Sequence, residues 1–133
     1  DPSQASTLNT LLYHASELIG DASSATSASL MLVFQSVFNF FIASGSGQAA
    51  LTMPLMAPLS DLVEVSRQVA VLAFQLGDGL TNIIIPTSAS LIGCLGAVKL
   101  DWSEWIKIIW RFQLVIMAMA LITVITAVSI GFN

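Results

Sequence analysis

Apolar and polar positions divide the chain into stretches of different periodicity. Residues 6–20, STLNTLLYHASELIG, place leucine and isoleucine at the three-to-four spacing of an amphipathic helix. This stretch is too polar to cross a bilayer, so it predicts a helix lying in the membrane interface, within an arm over residues 1–23. The polar run GDASSATS then ends the pattern.

A helical hairpin that enters the membrane without crossing it is predicted for residues 24–64. Its first arm, 28–43, carries no charge and reaches about 24 Å, short of the roughly 30 Å hydrocarbon core. SGSGQ at 44–48 then stops the helix, and the second arm, 49–59, reaches only about 16 Å. The economical interpretation is a re-entrant hairpin whose tip, 44–48, is buried near the middle of the membrane.

Residues 65–98 predict a discontinuous transmembrane helix. As one helix, residues 68–98 would reach about 46 Å, which is too long without a large tilt. GDGLTN at 77–82 places glycine on both sides of Asp78, and Pro86 follows shortly afterwards. These residues disfavour a continuous helix, so we expect two shorter helices separated by a break at 77–82.

The last part of the chain predicts an interfacial segment and a transmembrane helix. KLDWSEWIKIIWR, residues 99–111, combines tryptophan with basic residues, as is typical of a membrane–water interface. Residues 112–133 include a charge-free run long enough for a full transmembrane helix. Because Lys99, Lys107 and Arg111 cluster at one boundary, the positive-inside rule places 99–111 in the cytoplasm and the C-terminus outside.

Composition supports an all-α membrane protein surrounded by lipid. Hydrophobic residues make up 56% of the chain, charged residues 9%, and mean hydropathy is +0.86, whereas a soluble domain carries about 25% charged residues. Four basic residues without a basic patch argue against a nucleic-acid partner. Cys94 is the single cysteine, which excludes a disulfide framework, and its apolar surroundings predict a small packing residue.

The two predicted breaks are expected to lie in contact with each other and to form one site. Lipid satisfies neither N–H nor C=O groups, so non-helical backbone at membrane depth must be buried in protein or line a polar cavity. Freed carbonyls suit a cation such as Na⁺, and the N-termini of short helices suit an anionic group of a substrate. The predicted substrate-binding set is Ser44, Gly45, Ser46, Gly47, Gln48, Asn82, Thr87 and Ser88.

Asp78 is the only charged residue between Val69 and Val98. An uncompensated charge at this depth costs about 2.5–3.5 kcal/mol on insertion scales, so a bound cation or a proton is needed to offset it. Two interpretations stay open: Asp78 is a ligand of a coupling ion such as Na⁺, or it caps a helix that starts near Thr81. The predicted coupling-ion set is Gly77, Asp78, Gly79, Thr81 and Asn82, and no other cofactor is predicted.

Catalysis is not predicted. GSGQAA matches the G-x-G-x-x-A dinucleotide pattern, but no βαβ unit surrounds it. The sequence offers no Ser-His-Asp arrangement, metal-ligand cluster or phosphate loop, and His14 lies in the amphipathic arm. Two classes remain. If the two breaks form a shared site, the chain belongs to a transporter; if they merely kink helices, it belongs to a non-transporting membrane scaffold or assembly subunit.

The stretches around the two breaks resemble a known family. SGSGQAALTMPLMAPLSDL, SRQVAVLAFQLGDGLTNIIIPTSASL and the tryptophan-rich segment after them resemble the C-terminal part of the C4-dicarboxylate anaerobic carrier family of bacterial inner-membrane transporters. The resemblance implies a fold of two inverted repeats, each with a re-entrant hairpin and a discontinuous helix, and elevator-like alternating access. In sodium/dicarboxylate relatives each break holds a Ser-Asn-Thr motif, from which SGSGQ and GDGLTN depart.

The same resemblance implies a function and partners. We expect a multi-pass secondary transporter of a small carboxylate or amino acid, coupled to Na⁺ or H⁺, with a periplasmic C-terminus. Because the chain holds one repeat, we expect it to be the C-terminal half and its partner to be the N-terminal half of the same protein. A homodimer is a further expectation.

Overall fold

The computed structural model describes Thr10 and residues 23–133, and every regular element from residue 23 onward is a helix. This confirms the all-α fold for the part of the chain that the structure describes. The predicted interfacial helix within 1–23 lies outside the described residues, apart from Thr10 and Ser23. The helices are α1 (Ser24–Phe41), α2 (Gly45–Leu62), α3 (Arg67–Thr81), α4 (Ala89–Ala97) and α5 (Trp102–Ser129).

Helices α1, α3 and α5 pack against one another and form the core, and α2 packs on α3. Valines complete this core, with Val69 and Val124 at most 1% exposed. Small side chains let helix backbones approach closely, as they do at helix interfaces inside membranes. The buried alanines of this core are Ala28, Ala70, Ala73, Ala120 and Ala127.

Two of the helices, α1 and α5, are long and apolar enough to cross a membrane. Their outer faces carry exposed apolar side chains, among them Val37 and Phe41 on α1 and Leu114 and Ile122 on α5. A helix whose outer face is apolar is stable where that face meets lipid. The sequence prediction of a membrane protein agrees with this pattern.

The predicted hairpin has longer arms than expected. Helix α1 begins at Ser24 rather than near residue 28, because Ser23 Oγ accepts a hydrogen bond from the Thr26 N–H at 3.4 Å and caps the helix. Helix α2 begins at Gly45 and continues through Pro54 and Pro58 to Leu62. The non-helical tip is therefore 42–44 rather than 44–48, and re-entry into the membrane stays a prediction.

The break after α3 also lies later than predicted. Helix α3 continues through both glycines that flank Asp78, and the non-helical stretch that follows it runs over 82–88. Pro86, which has no N–H to donate, lies inside this stretch. Of the predicted interfacial segment, 102–111 forms the first turns of α5, which begins after its N-cap Asp101 and ends at Ser129.

Three helices end in a cap made by their own backbone. Glu64, Lys99 and Gly131 follow α2, α4 and α5 with φ values of 55°, 55° and 65°. The N–H of the residue after each one donates to a carbonyl five residues earlier, at 2.9–3.0 Å, which is the Schellman arrangement. No residue of 82–88 has a positive φ, so α3 ends in another way.

An exposed ion pair joins the end of α2 to the start of α3. Arg67 Nη2 lies 2.6 Å from Asp61 Oδ2. The hydrogen bond from Arg67 lowers the pKa of the Asp61 carboxyl below its ordinary value. Exposed ion pairs contribute little to stability, so this pair mainly indicates that the Asp61 and Arg67 side chains face water.

Gly77 allows α3 to lie close to α1. A β-carbon added there would lie 2.8 Å from Gln35 Cβ and 3.0 Å from the Ser36 backbone nitrogen. The same atom added to Gly79 would meet nothing within 4 Å. Gly77 is therefore required by helix packing rather than by a break in α3.

Gly77→Ala is expected to lower the free energy of unfolding by about 1–3 kcal/mol, because the added methyl group overlaps α1. Gly79→Ala is the matched control: the same change in the same helix meets open space, and the helix propensity of alanine stabilises by up to about 1 kcal/mol. Thermal unfolding of the full-length protein in detergent measures both variants. Equal stability of the two would contradict close packing at Gly77.

Candidate functional site at the end of helix α3

Side chains from two other helices converge on the last turn of α3. An α-helix leaves its last four carbonyls without partners inside the helix. Asn39 Nδ2 of α1 donates to the Asp78 carbonyl at 3.0 Å, and Gln113 Nε2 of α5 donates to the Leu80 carbonyl at 3.1 Å. These two amides therefore take the place of a Schellman cap and hold the end of α3 between α1 and α5.

Two tryptophans bond to the carbonyls that follow. Trp105 Nε1 donates to the Ile83 carbonyl and Trp102 Nε1 to the Ile84 carbonyl, each at 2.8 Å. The sequence predicts these tryptophans as part of an interfacial belt, which stays a prediction, and the structure adds that their indole N–H groups bond to the backbone of the 82–88 break. Trp110 is different: it is exposed, and its ring lies 5.5 Å from the Arg111 guanidinium carbon.

Backbone carbonyls at this break already accept hydrogen bonds from the protein. The Thr81 carbonyl accepts from the Ile84 and Ile85 N–H groups at 3.0 and 3.1 Å. The Thr81 hydroxyl donates to the Gly77 carbonyl at 2.6 Å. Several carbonyls at the end of α3 thus already accept hydrogen bonds from α1, α5 and local turns, and cation binding by carbonyls of the break stays a prediction.

Asp78 lies half-buried in the last turn of α3 and faces the start of α2. A β-carbon on Gly45 would lie 3.0 Å from Asp78 Oδ2, and Asn82 Nδ2 donates to Asp78 Oδ1 at 3.3 Å. The N-terminus of a helix carries partial positive charge, so α2 stabilises this carboxylate. Asp78 does not cap a helix starting near Thr81, because Thr81 belongs to α3. The predicted contact between the SGSGQ segment and 77–82 is present at Gly45 and Asp78.

A second group of buried polar side chains joins α1 to α2. Gln48 Nε2 donates to the Gln35 carbonyl at 2.9 Å and to Gln35 Oε1 at 2.8 Å. Gln35 Nε2 donates in turn to Thr52 Oγ1 at 3.1 Å. These three residues are at most 2% exposed. Buried amides are costly unless bonded, so this network fixes α2 beside α1.

An open cavity of about 420 Å³ lies beside the end of α3 and the start of α4. Its lining includes Ala43 next to the hairpin tip, Asn82 in the break, and Ser88 to Leu91 at the start of α4. Ser88 Oγ caps α4 by accepting a hydrogen bond from the Leu91 N–H at 3.5 Å. The positive end of α4 therefore adjoins the cavity, while Asn82 connects the cavity to Asp78.

The predicted substrate-binding residues are only partly brought together. Asn82 and Ser88 line the cavity, Gly45 adjoins Asp78, and Gln48 is buried in the network with Gln35. The others lie at helix starts: Ser44 accepts a hydrogen bond from the Gly47 N–H at 3.4 Å, whereas Ser46 and Thr87 are exposed.

The predicted coupling-ion residues divide in the same way. Thr81 Oγ1 accepts a hydrogen bond from Asn39 Nδ2 at 2.8 Å, and Asn82 bonds to the Asp78 carboxylate. Gly77 packs against α1, and Gly79 faces open space. Within 23–133 no group of three or more His, Cys, Asp or Glu residues is arranged to hold a metal ion. Any cation here would therefore bind amide, hydroxyl and carboxylate oxygens.

Sequence reasoning missed Gln35, Asn39 and Gln113. Each is an amide in an otherwise apolar stretch, and Gln35 and Asn39 are four residues apart, which places them on one helix face. A polar side chain inside a membrane helix is costly and marks a functional position, so this spacing was the available signal. Cys94 was expected to be a packing residue, but it is exposed and lines the cavity.

The fold and the site define a class of protein: a helical membrane protein with a polar site at the end of a broken helix. The chain belongs to the C4-dicarboxylate anaerobic carrier (DcuC) family, whose profile matches residues 3–130. This membership supports a carrier rather than an enzyme.

Two relatives show how much of a carrier this chain represents. It is 51% identical over 129 residues to an Escherichia coli K12 protein named "Putative basic amino acid antiporter YfcC", covering 97% of this chain and 26% of that protein. It is 28% identical over 101 residues to an uncharacterized Haemophilus influenzae protein, covering 76% of this chain and 20% of that protein. The chain thus spans about a quarter or less of these relatives. No solved structure matches it significantly.

Trp105→Phe is expected to destabilise the full-length protein by about 1–3 kcal/mol, because it leaves the Ile83 carbonyl without its donor. Trp110→Phe is the matched control, since Trp110 is exposed, and its cost is expected to stay within about 0.5 kcal/mol. Thermal unfolding in detergent compares the two variants. A loss for Trp105→Phe no larger than that for Trp110→Phe would contradict a stabilising role for the indole N–H of Trp105.

Proposed function

We propose that this chain is part of the C-terminal half of a secondary active transporter that moves a small organic anion or amino acid across the bacterial inner membrane. Membership of a carrier family supports transport in general. The observation that carries the proposal is the meeting of α2 and α3 at Gly45 and Asp78, beside a cavity that adjoins the start of α4. Transporters build substrate sites where discontinuous helices meet.

The charges around the cavity favour an amino acid as the substrate. Ser88 and Ser90 lie at the positive end of α4, which suits a carboxylate. Asn82 links the cavity to the Asp78 carboxylate, which suits an ammonium group. A dicarboxylate would bring a second negative charge towards Asp78, which is unfavourable. The name of the E. coli relative, an amino acid antiporter, agrees with this choice.

Coupling to Na⁺ or H⁺ is proposed to involve Asp78. Its carboxylate lies between Asn82 and the start of α2, so binding a cation or a proton would change the charge at the point where the two helices meet. In the complete transporter, an N-terminal inverted repeat would supply the other half of the site. Elevator-like movement of the two repeats and assembly into a homodimer belong to the same proposal.

A non-transporting scaffold is the alternative. A scaffold requires the break at 82–88 to be stable, which the hydrogen bonds from Trp102 and Trp105 achieve. It does not require a cavity next to a helix N-terminus, nor a carboxylate connected to that cavity. The presence of both favours the transporter.

Topology provides one test. In the proposed orientation residues 99–111 face the cytoplasm and the C-terminus faces the periplasm. Ser103 is exposed near the start of α5, so a cysteine placed there is accessible to a thiol reagent. In a cysteine-free full-length protein, Ser103→Cys is expected to resist an impermeant thiol reagent added to intact cells and to react after the cells are opened. Rapid labelling of intact cells would reverse the orientation.

Uptake by the full-length protein in proteoliposomes tests transport itself. A panel of dicarboxylates, short-chain acids and amino acids is compared while the Na⁺ and H⁺ gradients are varied separately. Asp78→Asn keeps the shape of the side chain and removes its charge, so membrane expression is expected to stay near normal. Gradient-driven uptake is expected to be lost or to change its ion dependence.

Two results would contradict the proposal at different levels. If the wild-type protein transports nothing on the panel under either gradient, the scaffold becomes the better explanation. If Asp78→Asn transports with unchanged ion dependence, the protein is a transporter but Asp78 only stabilises the start of α2.

A further inference from the structure

Two buried amide oxygens near the hairpin tip have no hydrogen-bond partner in the described part of the chain. They are Asn39 Oδ1 and Gln48 Oε1, and both residues are 0% exposed. The orientation of each amide is defined, because its nitrogen donates to a backbone carbonyl, of Asp78 and of Gln35 respectively. Exchanging nitrogen and oxygen would place two acceptors against each other, so the unpaired atoms are the oxygens.

Both oxygens belong to the region where α1, α2 and α3 meet. Asn39 contacts the backbone of Asp78, whose carboxylate faces Gly45 at the start of α2. Gln48 follows Gly45 by three residues and so lies on the same face of α2. Gln35 lies one helical turn before Asn39 on α1 and accepts a hydrogen bond from Gln48, so Gln35 links Gln48 to the helix that carries Asn39. These contacts connect Asn39, Gln48 and Asp78 through neighbouring residues of α1, α2 and α3.

The chemistry of this region suits a positively charged group. A buried acceptor without a partner is unfavourable, and a bound donor or cation would offset that cost. Amide and carboxylate oxygens are ligands for hard cations, and they also accept hydrogen bonds from an ammonium group. The charge of Asp78 favours a cation over a neutral donor.

We propose that Asn39 Oδ1 and Gln48 Oε1, together with the Asp78 carboxylate, bind a cationic group. Its source is either a monovalent metal ion such as Na⁺ or the ammonium group of an amino acid. The choice of these two cations rests on the proposed function. The site differs from the predicted one, because two buried amides on α1 and α2 replace the backbone carbonyls of the 82–88 break.

Gln113 provides a matched control for this site. Its amide is also buried, and its Oε1 also lacks a partner in the described residues. However, its nitrogen bonds to the Leu80 carbonyl. Leu80 is two residues after Asp78 in the same helix, and positions two residues apart lie on opposite sides of an α-helix. Gln113 therefore shares the chemistry of the proposed ligands without sharing their location.

The test measures the unfolding temperature of the purified full-length protein in choline chloride, NaCl, KCl, ammonium chloride and lysine at constant ionic strength. The unfolding temperature of the wild type is expected to rise with at least one of these cations relative to choline. Asn39→Asp and Gln48→Glu are expected to lower it in choline and to show a larger upward shift than the wild type with that cation. Gln113→Glu is expected to lower it without recovery.

A second set of variants covers the case in which the acidic variants do not fold. Asn39→Ser and Gln48→Ser lack the amide oxygen, so the shift seen in the wild type is expected to be lost, whereas Gln113→Ser is expected to keep it. A shift with Na⁺ alone identifies a metal-ion site, and a shift with ammonium or lysine alone identifies a site for the substrate's amine.

The proposal is overturned if no cation shifts the wild type, or if the serine variants at 39 and 48 keep the full shift. Uptake measured on the same preparations separates this outcome from failure of the proposed function. A wild-type protein that transports but shows no cation-dependent shift remains a transporter without this site.

Discussion

The structure depends on how the carbonyl groups at the end of α3 are bonded inside an apolar helix bundle. In water, solvent would satisfy them; in a membrane, each unsatisfied carbonyl costs several kcal/mol. Helices α2, α4 and α5 avoid the problem with a residue of positive φ. Helix α3 instead receives donors from α1 and α5, so its end is stable only when those helices are in place. The site is therefore assembled by tertiary contacts.

This arrangement also explains why a single acid is tolerated in the middle of an apolar stretch. Asp78 lies on a continuous helix, next to the positive end of α2, and it accepts a hydrogen bond from Asn82. The helix terminus and the amide offset part of the cost of its charge. The contacts with α2 and Asn82 therefore stabilise the Asp78 carboxylate without requiring a bound cation or proton.

The polar groups of the site are divided between two functions. Gln35, Thr52 and the indoles of Trp102 and Trp105 are bonded within the protein, and they hold helices in position. Asn39 and Gln48 use their nitrogens in the same way but leave an oxygen unpaired. In the proposed cation site, each of these side chains would therefore combine a structural role with a ligand-binding role. The hydrogen bonds of the amide nitrogen fix the side chain, and this fixes the direction in which its oxygen points.

The sequence by itself determined the class of the protein and the approximate position of its features. Charge-poor composition and long apolar runs predicted a helical membrane protein, and glycine, serine and proline marked two places where helices end, although each boundary differs from the prediction by several residues. Local pattern suffices here because helix length and burial depend on neighbours a few residues apart. The sequence also predicted correctly that the SGSGQ segment contacts the region around Asp78.

Tertiary structure alone decided which polar groups meet. The hydrogen bonds that end α3 join residues 39 and 33 positions apart, from Asn39 to Asp78 and from Gln113 to Leu80, and Trp105 bonds to Ile83 across 22 positions. Periodicity identifies the face of a helix but not the partner of that face, so it did not show that Trp102 and Trp105 donate to carbonyls of the 82–88 break. In apolar surroundings a carbonyl has no hydrogen-bond partner other than protein. The packing of the helices therefore decides which donor each carbonyl receives.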